Sequence, residues 1–446
     1  MTAAPDIWQT QARSILRLGG PLVVNYLAVA GMGLADTIMS GRLGAESLAA
    51  VAVGSNAWML FFSACLGILM ALSPIIARLY GAGEMRKVGR YTRHGMYLGF
   101  GLGLIILLFG RPFAETFMTT IGIDPGFRDL TVDYVRALLF GAPGILIFIA
   151  LRFTTEGIGY TRPIMFTSVF SLICNVFLNY VLMFGHFGAP ALGVEGCAYA
   201  SAITMWIVMF ALAGYMMLSP RLKLLKVFTR IGQFRPALFR EILWLGVPIS
   251  ITITAEIGLF SAVSILVGTR GVEITAAHQI ALSYASAMFM IPLALSSATT
   301  VQVGHMLGAD RALAARRAGL VGIGLCASFM AISALVLVLF RDTIITFYTD
   351  DPVVTGIAVS LMLVAAIFQI TDGIQIGAAA TLRAYKDTRF PMAINIFAFW
   401  VIAFPLAYLA AITYELPAYQ IWVAFIAGLG VAAVLLMWRF LRLSRV

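Results

Sequence analysis

An all-α polytopic membrane protein is predicted by three features of this chain: its composition, the length of its apolar runs and an internal repeat. Of 446 residues, 61% are hydrophobic and only 11% charged, and the mean hydropathy is +0.96. Apolar runs close to the ~20 residues that a helix needs to cross a bilayer recur from end to end. Runs such as 98–109 (LGFGLGLIILLF) and 329–340 (FMAISALVLVLF) are apolar on every side. Strands of a membrane barrel alternate instead, so a barrel is excluded.

Taken in order between charged or Gly/Pro breaks, the spans fall at 15–38, 48–77, 94–110, 132–151, 163–185, 194–218, 242–267, 275–304, 318–340, 355–381, 391–413 and 418–438, twelve in all. The first carries Arg13 and Arg17 ahead of its apolar run and no small-residue cleavage signature, so it reads as an uncleaved span. With the N-terminus inside, 24 of the 30 Lys and Arg fall on the cytoplasmic side. Only Arg42, Arg111, Arg128, Arg136, Arg270 and Arg341 remain outside. The positive-inside rule therefore places both termini in the cytoplasm, and an even number of spans agrees. The net charge of +10 is absorbed by this anchoring, and nucleic acid is not indicated as a partner. Pro21, Pro143, Pro248 and Pro292 interrupt spans as kinks or hinges.

Shifting the chain by 227 residues superposes its halves without a gap over the first five spans. ILRLGGP (15–21) falls on ILWLGVP (242–248), Gly41 on Gly268, Glu46 on Glu273, Gly81-Ala82 on Gly308-Ala309, and Thr161-Arg162 on Thr388-Arg389. Each half holds six spans, so both begin inside and the repeats are parallel, related by a pseudo-two-fold axis along the membrane normal. The expected organisation is an N-lobe over 1–218, a basic cytoplasmic linker over 219–241 and a C-lobe over 242–446, with substrate between the lobes.

Three carboxylates, Asp36, Glu256 and Asp372, lie inside apolar spans. At about 2.5 to 3.5 kcal/mol each, they oppose insertion by roughly 8 to 10 kcal/mol unless paired or hydrated. Their repeat partners are Val263, Val29 and Ile145, so none belongs to the shared scaffold. Asp36 lies near the outer end of the first span, where an acid can snorkel to water. Asn175 and Asn179, one turn apart on one face of the fifth span, fall at a similar depth and make a proton- or cation-responsive cluster with it. Glu256 and Asp372 lie near the midplane, out of reach of water by snorkelling. Two such acids facing one cavity share a proton or accept Na⁺, and both ions fit. Phe260, one turn after Glu256, together with Gln279 and Phe289 on the next span, suggests an aromatic wall for an organic cation, where each ring contributes about 0.5 to 2 kcal/mol.

Cys65, Cys174, Cys197 and Cys326 lack CxxC spacing and the four histidines are scattered, so neither a disulfide framework nor a zinc site is indicated. GxxxxGK[ST], GxSxG and HExxH are all missing. An ATP-driven pump and an intramembrane hydrolase are therefore disfavoured, no organic cofactor is expected, and the energy source is an ion gradient.

Several segments carry a family resemblance: GMGLADTIMSGRLGAESLAAVAVG (31–54), NVFLNYVLMFG (175–185), GVEGCAYAS (193–201), the Glu256 segment and TLRAYKDTRFPM (381–392). Over essentially its full length the chain resembles multidrug and toxin extrusion (MATE) transporters of the NorM-type bacterial branch. The resemblance implies a two-lobed, V-shaped antiporter that exports cationic or zwitterionic drugs in exchange for Na⁺ or H⁺, not an enzyme, with a monomer expected. It assigns Asp36, Asn175 and Asn179 to an N-lobe cation and proton cluster. Glu256 and Asp372 match the C-lobe acids associated with cation binding, a Na⁺ site included, and Phe260 and Gln279 align with neighbours of that site. Phe368, one turn before Asp372 and a further candidate for substrate contact, stands where close relatives are expected to carry a tyrosine. One rival is a lipid-linked oligosaccharide flippase of the same superfamily, which needs a basic cavity where these spans hold acids. A membrane-embedded enzyme, the other rival, lacks a nucleophile or metal motif.

Overall fold

The computed structural model describes residues 7–120, 125–228 and 234–445. The tail before Ile7, residues 121–124 and part of the linker expected at 219–241 lie outside the described residues. Helices dominate, and no strand occurs among the described residues. In chain order they are α1 (Ile7–Gly41), α2 (Ala45–Gly81), α3 (Met85–Thr120), α4 (Pro125–Leu139), α5 (Ala142–Gly157), α6 (Arg162–Phe184) and α7 (Gly193–Leu218). They continue as α8 (Pro236–Gly268), α9 (Val272–Gly308), α10 (Ala312–Thr346), α11 (Pro352–Ala384), α12 (Arg389–Thr413) and α13 (Ala418–Leu443).

Eleven of these are long and apolar enough to cross a membrane, and α4 with α5, bent by 48°, forms a twelfth span. The spans' outer surface exposes Leu108, Phe109, Phe166, Phe210, Ile265, Leu339 and Val434. An apolar belt of this kind belongs against lipid, and the chain is a multi-pass membrane protein.

The fourth span, expected over 132–151 with an interruption at Pro143, is broken just before that proline. Gly141-Ala142-Pro143 supplies the reason, because Pro143 has no N–H to donate and its ring clashes with the carbonyl four residues back. A Cβ at Gly103 of α3 would fall 2.4 Å from the Pro143 backbone, so the bend is packed against a helix that comes close only because residue 103 is glycine. The equivalent positions of the second repeat, Phe368-Gln369-Ile370, contain no proline, and α11 runs through unbroken. Pro21, Pro248 and Pro292 lie inside α1, α8 and α9 without ending them.

Packing divides the chain into two compact units, one running from Val24 to Ser250 and the other joining Ile251 onward to the start of α1 up to Val23. The two cuts fall at positions related by the same 227-residue shift. The first turns of each repeat's leading helix therefore pack with the other repeat. A Cβ at Gly246 of α8 would meet the Ile68 carbonyl oxygen at 2.3 Å, and one at Gly19 of α1 would meet the Leu295 side chain at 3.0 Å. Gly19 and Gly246 are repeat partners, as are Ile68 and Leu295. Small residues that let backbones approach are what drives helix association in lipid, where apolar burial alone contributes little. Gly44 (φ 123°) and Gly271 (φ 117°), repeat partners again, begin α2 and α9 in a conformation that only glycine adopts readily.

The unit beginning at Ile251 is centred on Trp422, Phe425, Phe399, Leu361 and Leu436, all nearly or fully buried. The unit ending at Ser250 buries Leu72, Ile75, Ile76, Leu146 and Phe153.

Candidate functional sites

In the unit from Val24 to Ser250, Asp36 sits on α1 opposite the α6 face that carries Asn175 and Asn179. Asn179 Nδ2 donates to Asp36 Oδ1 at 2.6 Å and to Asn175 Oδ1 at 3.3 Å. Asn175 Nδ2 donates to Ser201 Oγ of α7 at 3.0 Å, and that hydroxyl donates to Asp36 Oδ2 at 3.4 Å. The four side chains form a closed ring of hydrogen bonds. Asn175 and Asn179 are buried while Asp36 and Ser201 remain partly exposed, so the carboxylate is held from the protein side and open on the other. The repeat partners of Asp36, Asn175 and Asn179 are Val263, Ile402 and Leu406, so this polarity has no counterpart in the second repeat.

Ser201 escaped the sequence reading because serine in a membrane helix is common packing material. Its spacing from Cys197, one turn earlier on α7, is a signal in retrospect, since the Cys197 thiol also faces Asp36. Buried Tyr134 of α4 lies close enough for the Asp36 charge to act on it, and its hydroxyl is 3.1 Å from Ser55 Oγ.

Two turns before Asn175 on α6, Ser168 Oγ accepts from the Asn25 amide nitrogen at 2.6 Å, and the Asn25 amide oxygen accepts from the Arg152 guanidinium at 3.2 Å. Next to Asn25 on α1, the Tyr26 ring lies 5.0 Å from the Arg152 guanidinium. Arg152 Nε is 4.0 Å from Glu156 Oε2, and Ser73 donates to Glu156 Oε1 at 3.3 Å. The positive-inside count treats Arg152 as a cytoplasmic loop residue. The structure extends α5 to Gly157 and buries both Arg152 and Glu156, because each neutralises the other.

In the other unit, Asp372 of α11 is 5% exposed and its Oδ1 has no hydrogen-bond partner among the described residues. Glu256 of α8 is partly buried and close enough for its charge to act on Asp372. Arg383, which the sequence places in a loop, lies in the last turn of α11 within electrostatic range of Glu256. No group of three or more His, Cys, Asp or Glu that could hold a metal ion occurs among the described residues. Any cation held by these two acids needs neutral oxygens as well.

Phe260 and Phe368 do come together. Their rings are edge-on at 6.1 Å, Phe260 stacks on Phe425 at 4.9 Å, and Phe368 meets Trp422 at 5.8 Å. Phe368 is 3% exposed, so it belongs to the packed interior, and only Phe260 of the pair retains an open side. Gln279 and Phe289 are not brought to this cluster. His278, the residue before Gln279, points inward: Trp422 Nε1 donates to His278 Nδ1 at 3.0 Å and Ser264 Oγ lies 2.9 Å from Nε2. Successive residues of a helix diverge by about 100°, so Gln279 turns away from this core and is exposed, while Phe289 is half-buried without a ring contact among the described residues.

A family model described as MatE matches residues 21–181 and again 248–409, two segments whose starts differ by the repeat length. Among solved structures, a MATE in complex with MaL6 is 22% identical with a TM-score of 0.89, covering 100% of this chain and 99% of that one. The eukaryotic MATE transporter AtDTX14 is 20% identical with a TM-score of 0.87, covering 99% of each chain. A MOP superfamily transporter from Pyrococcus furiosus, whose binding pocket is described as having reversed polarity, is 21% identical with a TM-score of 0.85, covering 98% and 97%. At these identities the likeness concerns the fold, which in these transporters and in this chain is twelve helices in two lobes.

Proposed function

The chain belongs to the MatE family of membrane transporters, and from that premise we propose that it is a cation-coupled multidrug efflux antiporter of the NorM-type branch. It exports organic cations and zwitterions by alternating access in exchange for Na⁺ or H⁺, as a monomer in a bacterial inner membrane with both termini cytoplasmic. The observation that carries the reading is the closed ring of Asn179, Asn175 and Ser201 around Asp36. A carboxylate in a membrane span is costly and marks an ion or substrate pathway by default. Here it is oriented by three neutral groups and left without a fixed cationic partner among the bonds of the ring.

Coupling requires only competition. If the ion and a cationic drug neutralise the same carboxylates, binding of one favours release of the other, and the conformational equilibrium follows whichever is bound. Asp36, Asn175 and Asn179 serve the first repeat, and Glu256 and Asp372 the second. Phe260 offers its open ring face to an organic cation, with Phe368 supporting it from behind. Gln279 and Phe289 contribute through surfaces outside the aromatic core. Inward movement of one charge at 100 mV supplies about 2.3 kcal/mol, enough for a roughly fifty-fold gradient of a neutral solute.

The test is ethidium or norfloxacin transport in proteoliposomes under imposed Na⁺ or H⁺ gradients. Transport accelerated by either gradient and lost in Asp36→Asn supports the reading. Transport indifferent to both gradients overturns it.

A further inference from the structure

Beyond the end of α7, residues 219–228 form a strap fixed along the start of α3. Leu222, Leu225 and Val227 are buried, and a Cβ at Gly89 of α3 would collide with the Leu225 carbonyl oxygen. Arg93 of α3 donates to the Lys226 carbonyl at 2.6 Å and to that of Val227 at 3.4 Å, and Lys226 is held in a left-handed backbone conformation (φ 51°). Arg221, Lys223, Leu224 and Lys226 are thereby left exposed. The stretch contains no acid, and neither Arg221 nor Lys223 has a carboxylate in ion-pair range among the described residues. Beside it runs a chain of hydroxyls. Tyr215, in the last turn of α7, lies 2.7 Å from the Tyr160 hydroxyl and bonds the Ser219 side chain as well. Three hydroxyls joined by two bonds keep one O–H hydrogen unused. The Arg221 guanidinium lies 5.5 Å from the centre of the Tyr160 ring, so a cation and a spare donor stand together. Leu218 and Leu224, on either side of Arg221 in the sequence, are 77% and 67% exposed.

We propose that Arg221, Tyr160 and Tyr215, backed by Lys223, form a binding site for the headgroup phosphate of an anionic phospholipid in the leaflet at the end of α7. An exposed cluster of cations without acids calls for an anion, and a guanidinium beside a hydroxyl donor is a donor set suited to a phosphodiester. The exposed leucines decide which anion. A free phosphate gains nothing from apolar surface beside its site, whereas a lipid brings acyl chains that cover it. Tyrosines at a helix end, with an apolar ring and a polar tip, suit the headgroup level. With the termini inside, α7 ends on the side of the basic loops, and the cytoplasmic leaflet carries the anionic lipids that attract such residues. Because the strap is pinned to α3, its cations are presented in one geometry before the lipid arrives, which lowers the ordering cost of binding. The second repeat offers no equivalent. The repeat partner of Tyr160 is Asp387, an acid that would repel phosphate and that instead accepts from Arg439 at 2.8 Å.

The experiment is native mass spectrometry of the purified full chain in detergent, titrated with dioleoyl phosphatidylglycerol or dioleoyl phosphatidylcholine, with folding followed by size exclusion. It involves no transport, so its outcome is independent of the antiporter reading. The wild type is expected to take up its first phosphatidylglycerol at least about tenfold more tightly than phosphatidylcholine, and Arg221→Gln to lose about fivefold of that affinity, the scale of one cation at an anionic membrane surface. Tyr160→Phe, which removes only the hydroxyl, should lose several-fold. Arg42→Gln removes an exposed arginine at the opposite end of the spans, and it should leave the affinity within about twofold. If Arg221→Gln does not purify as a folded species, Tyr160→Phe is read in its place. Equal affinity of the wild type for the two lipids overturns the proposal, as does wild-type phosphatidylglycerol affinity in the variant that is read. An equal loss in Arg42→Gln means diffuse attraction between charges and overturns it too. So does release of bound phosphatidylglycerol by an equal concentration of inorganic phosphate, which marks a site for free anions.

Discussion

Asn179 Nδ2 lies 2.6 Å from Asp36 Oδ1 and 3.3 Å from Asn175 Oδ1, so a single amide group is divided between a carboxylate and a second amide. Both of its hydrogens are committed, while its own Oδ1 is buried without a partner among the described residues. The residue therefore acts as a donor. It orients Asp36 without neutralising it, which leaves the carboxylate's charge available to a mobile cation.

Asp36→Asn is expected to abolish ion-coupled export while the protein still inserts and purifies, because the change is nearly isosteric and removes only the charge. Asn179→Ala should reduce export by about tenfold or more, since hydrogen bonds to charged groups are worth about 1.5 to 3 kcal/mol. Ser201→Ala, which removes a 3.4 Å contact, should have the smaller effect. The measurement is the initial rate of ethidium efflux at matched expression. Export by Asp36→Asn at the wild-type rate would show that the ring serves the fold alone.

How much of this was legible in the sequence depended on whether a signal was local. The spans were legible because twenty apolar residues admit few alternatives, and Asp36, Glu256 and Asp372 because an acid in such a run stands out. Asn175 and Asn179 followed from one-turn spacing. Ser201 and Tyr134 did not, since a hydroxyl becomes informative only when a distant helix brings it to an acid. Arg152, Glu156 and Arg383 were hidden by their place near span ends, where charge is usually solvated. The break before α5 was half legible: Pro143 announced a kink, but proline also lies inside α1, α8 and α9 without breaking them.

Arg383 acts electrostatically on Glu256, and removing one member of such a pair should cost more than removing both. Glu256→Gln and Arg383→Gln, singly and together, form a cycle whose coupling is expected on the order of 1 kcal/mol. Thermal unfolding in detergent measures it. Additive effects would mean that Arg383 serves other partners and does not act on Glu256.

Trp422→Phe should destabilise the unit beginning at Ile251 by about 1 to 3 kcal/mol, because it leaves the buried His278 Nδ1 acceptor without its donor. The indole N–H can only donate, so Nδ1 is the acceptor and Nε2–H is left to donate to Ser264 Oγ. Nitrogen chemical shifts of His278 should report that neutral tautomer in the wild type and tautomer exchange in the variant. A mixed-tautomer wild type would contradict the assignment.

The repeat partners Gly19 and Gly246 should respond unequally to the same substitution. At Gly246 an added Cβ meets backbone, the Ile68 carbonyl oxygen at 2.3 Å and its Cα at 2.8 Å, and two helices must separate to admit it. At Gly19 the nearest atom is the Leu295 Cδ2 methyl at 3.0 Å, the end of a side chain with other rotamers available. Gly246→Ala is therefore expected to cost at least about 2 kcal/mol, in the range of overpacked cores, and Gly19→Ala about 1 kcal/mol or less, offset by alanine's better helix propensity. Thermal unfolding of the two variants beside wild type decides the matter. Equal losses would mean that the Gly19 contact is as rigid as its partner, and that the two crossings of the repeat are mechanically the same. The unequal result would make the first turns of α1 the more yielding of the two exchanged segments, although both sit at the same position of the repeat.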